Sequence, residues 1–271
     1  MKAEPDKMET REINVPVMAD LFTKGIRPEY LFWIGCAGAF DDRYKKVARA
    51  FLKILTHLKV SFAVLGKEES CTGDPARRAG NEMLYQLQAL HNIDTFTRYG
   101  VTRIFTICPH CYNIFKNEYP DLGGNYEVIH YTQFLAGCLE DGSLSLDRKS
   151  FGDQRVTYHD PCYLGRCNDI YAEPRRILRA MTSDLVEMGR HKSFALCCGA
   201  GGAQMFKEAE KGDKEVFLER TEEALSTDAS IIATACPFCM TMLTDGIKYK
   251  NEEQRVRNLD IGEMIADALD L

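Results

Sequence analysis

Nine of the eleven cysteines in this chain fall into a pattern that could do metal chemistry. The densest stretch is CCGAGG at 197–202, followed after a gap by CPFC at 236–239 and preceded by HDPC at 159–162. Adjacent cysteines rarely pair with each other, because a disulfide between neighbours is strained. They serve better as ligands. Cys162, Cys197, Cys198, Cys236 and Cys239 together offer five thiols, one more than a tetrahedral zinc site takes. Soft thiolates select zinc, copper(I) or iron–sulfur clusters, and a polynuclear cluster is the simplest way to use all five. Gly199, Gly201 and Gly202 let the backbone come close to such a group.

The same pattern occurs earlier, in weaker form. Cys36 matches Cys162 and Cys71 matches Cys197, both at an offset of 126 residues. Cys108 and Cys111, in CPHC, match Cys236 and Cys239 at an offset of 128. The chain is therefore a duplication, with small loop insertions accounting for the drift. Where the second half has its cysteine pair, the first has Cys71-Thr72, in ESCTGDPARRAGNE. A hydroxyl is a poor substitute for a thiolate on iron. The first set thus has four candidates, Cys36, Cys71, Cys108 and Cys111, which suit a cubane 4Fe-4S cluster or a zinc ion.

The elements that must position these residues follow from the periodicity. Short apolar runs at Tyr30–Ile34, Val60–Leu65, Val101–Ile107 and Tyr126–His130 read as buried strands. Between them lie helical periods: Tyr44, Val47, Phe51, Leu55 and Leu58, then Met83, Leu87, Leu90 and Ile93. In the second half Ile177, Leu178, Met181 and Leu185 repeat the period, with Pro174 implying a late helix start. Alternating strands and helices predict an α/β fold: two pseudo-symmetric repeats, each a small parallel sheet flanked by helices. Every cysteine set then falls at the carboxyl ends of the strands, where open sheets of this class bind ligands. Helix N-termini there favour the thiolate form. The boundaries expected are an N-terminal extension over 1–29, a first domain over 30–140 and a second over 155–271. The spacer between the domains is polar and lacks an apolar period.

These motifs resemble the cysteine-rich CCG domain. The specific matches are HDPCYLGR at 159–166, CCGAGG and CPFC, and the resemblance runs from about residue 30 to the end. The domain occurs twice in one of the subunits of heterodisulfide reductases, and in iron–sulfur subunits of lactate, glycolate and glycerol-3-phosphate oxidation. The resemblance implies a non-cubane 4Fe-4S cluster held by Cys162, Cys197, Cys198, Cys236 and Cys239. For the first domain it leaves a second 4Fe-4S cluster or zinc open. The ESCTGDPARRAGNE segment also looks like a region of long iron–sulfur proteins linked to membrane quinone or flavoprotein electron transfer. The function implied is that of an iron–sulfur oxidoreductase subunit that relays electrons, with reductive cleavage of a disulfide-type substrate as a further role. The alternatives are a zinc-containing structural or assembly protein without redox turnover, a quinone- or flavoprotein-linked electron-transfer subunit with no substrate chemistry of its own, and a thiol-redox enzyme using CPHC and CPFC as dithiols.

Other residues carry less. His159 and His110 stand beside ligand cysteines, placed to donate hydrogen bonds to sulfur or to handle protons; packed histidines are the plainer account. Arg166 and Arg78 could offset cluster charge or bind an anionic substrate, or form ordinary ion pairs. Cys138 and Cys167 have no counterpart in the other half and read as structural. KEAEKGDKE at 207–215 reads as a solvated helix face or loop.

Composition sets the remaining bounds. A net charge of −6 argues against a nucleic-acid partner. No glycine-rich dinucleotide fingerprint follows a strand, and the C-x2-C-x2-C-x3-C ferredoxin run is missing. Electrons would then come from a ferredoxin-type iron–sulfur subunit, joined to a flavoprotein or a membrane quinone-reactive subunit. The polar N-terminus lacks the apolar run of a signal peptide, and no apolar run is long enough to span a bilayer. The expected location is cytoplasmic, or peripheral on the inner face of a membrane through a partner.

Overall fold

The computed structural model describes residues 15–208 and 211–271. Residues 1–14, which carry the signal-peptide reading, lie outside it, as do two residues of the 207–215 run.

The first sheet has four parallel strands: β1 (Tyr30–Trp33), β2 (Phe62–Ala63), β3 (Arg103–Thr106) and β4 (Glu127–His130), in the order β2-β1-β3-β4. The second repeats it with β5 (Val156–Tyr158), β6 (Leu185–Val186), β7 (Ile231–Thr234) and β8 (Arg257–Asp260), in the order β6-β5-β7-β8. In each, the chain leaves the first strand for one neighbour and returns to the other side, so the connection reverses direction between β1 and β3, and between β5 and β7. A crevice opens at that point above the carboxyl ends of the strands.

Helices make every crossover. α1 (Met18–Thr23) precedes β1. α2 (Gly35–Phe40) and α3 (Tyr44–His57) lead to β2. α4 (Asp74–Arg78) and α5 (Glu82–Tyr99) lead to β3, α6 (Pro109–Asn117) leads to β4, and α7 (Tyr131–Glu140) ends the first half. In the second half α8 (Ala172–Met181), α9 (Val216–Leu225), α10 (Pro237–Tyr249) and α11 (Ile261–Ala268) do the same.

α3 buries the stripe its period foretells: Tyr44, Val47, Phe51 and Leu55 are all in the core. α5 does the reverse. Met83, Leu87 and Leu90 are 75%, 58% and 50% exposed, and Tyr85, Ala89, Asn92, Phe96 and Tyr99 face inward. Both stripes have helical spacing. The aromatic one is buried because Phe96 packs against Trp33 and Phe115, each with ring centroids 5.7 Å away. α8 begins before Pro174 rather than after it, since a proline in the first turn loses only an N–H that has no helical partner. Leu185 belongs to β6.

The two halves share one apolar core, formed largely by α3, α7, α8 and α11. Leu144 and Phe151 of the spacer are buried in it, so that segment is anchored despite its polar composition. Polar ties cross the same interface. Arg43 grips Glu263 through two hydrogen bonds, at 2.6 and 2.7 Å. The Tyr131 hydroxyl donates to Asp260 Oδ1 at 2.7 Å. Asp260 caps α11 through the Gly262 N–H, and burial pushes its carboxyl up to about 8.

Candidate metal centre

The first thiol set is assembled by three loops at the carboxyl end of the first sheet. Gly35, at φ +77°, turns the chain out of β1 and sets Cys36 on the first turn of α2. Glu69 holds the loop after β2 against this turn, accepting from Gly35 N at 2.6 Å and Ile34 N at 3.2 Å. That loop carries Cys71, whose sulfur accepts from Gly73 N at 3.4 Å and whose carbonyl accepts from Asn92 Nδ2 at 3.0 Å. Cys108 is the N-cap residue of α6, with Pro109 at its first position and Cys111 in the first turn.

The thiols act on one another in pairs, Cys36 with Cys71 and Cys108 with Cys111, and Cys111 also feels the charge of Cys36 and Cys71. The bond from Cys36 holds the Cys71 thiol down to about 6, and Cys36 is pushed up in return. All four cysteines line one pocket with Trp33, Thr72, Asp74, His110 and Phe238. Thr72 is buried where the second half has its additional cysteine, and its hydroxyl bonds the Cys71 sulfur.

The second set repeats the plan with five thiols. Cys162 follows β5, and Cys197 and Cys198 lie in the long loop between β6 and α9. Cys236 caps α10, and Cys239 lies in its first turn. Gly199 adopts φ +90°, and a Cβ there would lie 3.3 Å from the Phe217 backbone nitrogen. Its own N–H donates to Cys197 Sγ at 3.3 Å. The thiols act on one another in succession, Cys162–Cys197–Cys198–Cys239–Cys236. Bonds from Cys162 and Cys198 hold Cys197 far below the usual thiol range, and those two are pushed up. Burial opposes the Cys236 thiolate, but bonds from Cys239 and His110 bring it down to about 5. The exposed member is Cys36, while Cys198, Cys236 and Cys239 are fully covered.

A buried ion pair fixes the second site's entry loop. Arg175 clamps Asp160 with two bonds, at 2.7 and 2.8 Å, and Asp160 also accepts from Lys192 N at 2.8 Å. This joins the HDPC turn to the loop that leads to Cys197. The only signal for it in the sequence is the aspartate inside HDPC.

His110 and His159 occupy different places. His110, from the first half's CPHC, reaches across to the second set and hydrogen-bonds Cys236. Its Nδ1 lies 2.9 Å from Asp74 Oδ2, and its ring packs on Phe238 and Tyr163. Burial opposes a charge here, yet Asp74 and Cys236 hold the imidazole well above its ordinary range. His110 therefore stands between the two thiol sets. His159 is buried within its own half, with a ring nitrogen and the Cys198 and Cys239 sulfurs all within 4.8 Å of one another. Arg166 is exposed and donates to the Ser193 and Ala195 carbonyls rather than toward a thiol. Arg78 is engaged by Asp74 and Glu118. Cys138 lies in the shared core and Cys167 on the surface.

The donor chemistry suits an iron–sulfur group. Four thiols and five thiols converge at two adjacent sites, with two buried N–H-bearing atoms beside them, Trp33 Nε1 and His159 Nε2, that lack any partner. Sulfur acceptors would satisfy both.

The chain is 44% identical over 262 residues to a probable iron–sulfur-binding oxidoreductase, FadF, of Bacillus subtilis, covering 96% of this chain and 37% of that protein. It is 44% identical over 248 residues to the EtfAB:quinone oxidoreductase of Syntrophomonas wolfei, covering 89% and 34%. Against one of the subunits of the dihydromethanophenazine:CoB–CoM heterodisulfide reductase of Methanosarcina barkeri the identity is 34% over 257 residues, covering 90% and 60%. The chain thus spans between about a third and three-fifths of the length of these relatives. The model of the CCG cysteine-rich domain matches residues 30–116 and again residues 156–244. With both halves matched, the chain belongs to the CCG cysteine-rich domain family.

Proposed function

We propose that this chain is the electron-relaying unit of an iron–sulfur oxidoreductase. The observation that carries the reading is the gathering of five mutually interacting thiols above the second sheet. Five sulfur ligands exceed a structural zinc site and suit a non-cubane 4Fe-4S cluster. In the first site Cys36, Cys71, Cys108 and Cys111 hold a second, four-thiolate cluster; zinc is the competing occupant there. Bound clusters supply one-electron oxidation and reduction.

The chain's own residues do the rest. The α10 N-terminus favours the thiolate at Cys236. His110 carries positive charge between the two sites and offsets part of their negative charge. Phe238, Trp33 and Phe115 belong to one buried apolar cluster that also contains cysteines of both sites.

The names of the relatives support a flavoprotein or a quinone-reactive protein as redox partner, with a ferredoxin-type segment or subunit between. Among the described residues no helix is long and apolar enough to cross a membrane. We further propose that the two domains span 30–140 and 155–271 and that the second site cleaves a disulfide-type substrate reductively. Anaerobic reconstitution followed by EPR tests the reading. Signals that appear and vanish with redox state are expected; a protein that takes up no iron contradicts it.

A further inference from the structure

Trp33 ends β1, and His159 follows β5, 126 residues later. That is the offset relating Cys36 to Cys162 and Cys71 to Cys197, so the two side chains are counterparts in the duplication. They differ in type but share three properties. Each is fully buried, at 0% exposure. Each keeps one ring nitrogen without a partner, Trp33 Nε1 and His159 Nε2. Each lies against its own thiol set. The place a Gly35 Cβ would take is 3.5 Å from Cys111 Sγ and 3.8 Å from Trp33 Nε1. His159 lies within 4.8 Å of the Cys198 and Cys239 sulfurs.

An indole nitrogen only donates, whereas an imidazole has two tautomers. The surroundings of His159 select one. Arg220 Nε lies 2.9 Å from His159 Nδ1, and a guanidinium has no acceptor and keeps its protons. Nδ1 must therefore present its lone pair to Arg220, and the proton of the neutral ring sits on Nε2. Arg220 is itself fixed, donating at 2.8 Å both to the Arg190 carbonyl and to Glu223. A nitrogen that carries a proton cannot ligate a metal. With Nδ1 turned to Arg220, Nε2–H is what His159 offers the sulfurs.

We propose that Trp33 Nε1–H and His159 Nε2–H are matched N–H···S donors, one to each thiol site, and that His159 is a positioning residue and not a metal ligand. The inference rests on the iron–sulfur reading for its redox consequence. Hydrogen bonds to cluster sulfur raise the reduction potential, so each donor sets the potential of its own site.

The test uses the full chain, reconstituted anaerobically, with Trp33→Phe, His159→Phe and His159→Gln. EPR-monitored redox titration should show a lower potential for one signal in Trp33→Phe and for the other in His159→Phe. Iron content should equal that of the parent in both. His159→Gln, whose amide N–H reaches the position of Nε2–H, should restore most of the shift. Loss of iron in His159→Phe would make His159 a ligand and overturn the proposal, as would potentials that do not move.

A second readout does not need iron. In the metal-free thiol form, imidazole 15N NMR should show the His159 proton on Nε2; a proton on Nδ1 would overturn the assignment. The chain has one tryptophan, so its single indole N–H resonance reports Trp33 directly. That resonance should move downfield when the first site is filled, by zinc or by a cluster, and an unmoved resonance would refute its role. A protein that binds no iron but passes both NMR tests would lose the electron-relay reading and keep the donor assignment.

Discussion

Cys198 is the middle thiol of the five, acting on Cys197 on one side and Cys239 on the other. Cys198→Ser should cost the second site its cluster, lowering iron per chain by about half, while the first site keeps its signal. An iron content equal to the parent's would remove Cys198 from the ligand set. The converse experiment is Thr72→Cys. Thr72 is buried at the first pocket, beside Cys71 and in the place of Cys198. The added thiol should shift the first site's EPR signature toward that of the second, and an unchanged signature would mean that the sulfur does not reach the metal. All nine cysteines in the two sets were legible from spacing alone, because a duplication writes the pattern twice. Trp33, Arg220, and the Asp160–Arg175 and Asp74–His110 pairs were not. Their partners come from elements far apart in sequence, and nothing local marks a tryptophan as a donor to sulfur.

α9 and α10 approach so closely at Gly246 that a Cβ there would lie 2.0 Å from Thr221 Oγ1 and 2.8 Å from its Cβ. Gly246→Ala should destabilise the protein by about 1–3 kcal/mol through overpacking, seen as a lower midpoint in anaerobic chemical denaturation. A second element-scale prediction concerns pH. The Asp260 carboxyl, at the α11 cap, titrates near 8 when folded and near the ordinary aspartate value when unfolded. The folded state then binds more protons between these values, so this group's contribution to stability falls as pH rises from about 4 to about 8. Asparagine keeps the capping oxygen but not the charge. Stability of Asp260→Asn relative to the parent should rise over that range, with a slope of at most about 1.4 kcal/mol per pH unit. A constant difference would mean that Asp260 is ionised in the fold. The strands and most helices were readable from apolar periodicity. The face that α5 buries was not, because both of its stripes have helical spacing and only the tertiary partners Trp33 and Phe115 decide between them.

The two halves are bound by a shared core and by ties such as Arg43–Glu263 and Tyr131–Asp260, and His110 of one half touches the thiol set of the other. Duplication was visible in the sequence; this interlocking was not, since it depends on which helices meet. The consequence is that cysteines of both thiol sites share one buried apolar cluster. The claim on which the account depends is that the second site holds an iron–sulfur cluster. The most direct test is iron, acid-labile sulfide and zinc per chain on anaerobically purified protein. The account predicts about eight irons and about eight sulfides, or about four of each with about one zinc where the first site is structural. Zinc alone, or no metal after anaerobic reconstitution, would contradict it.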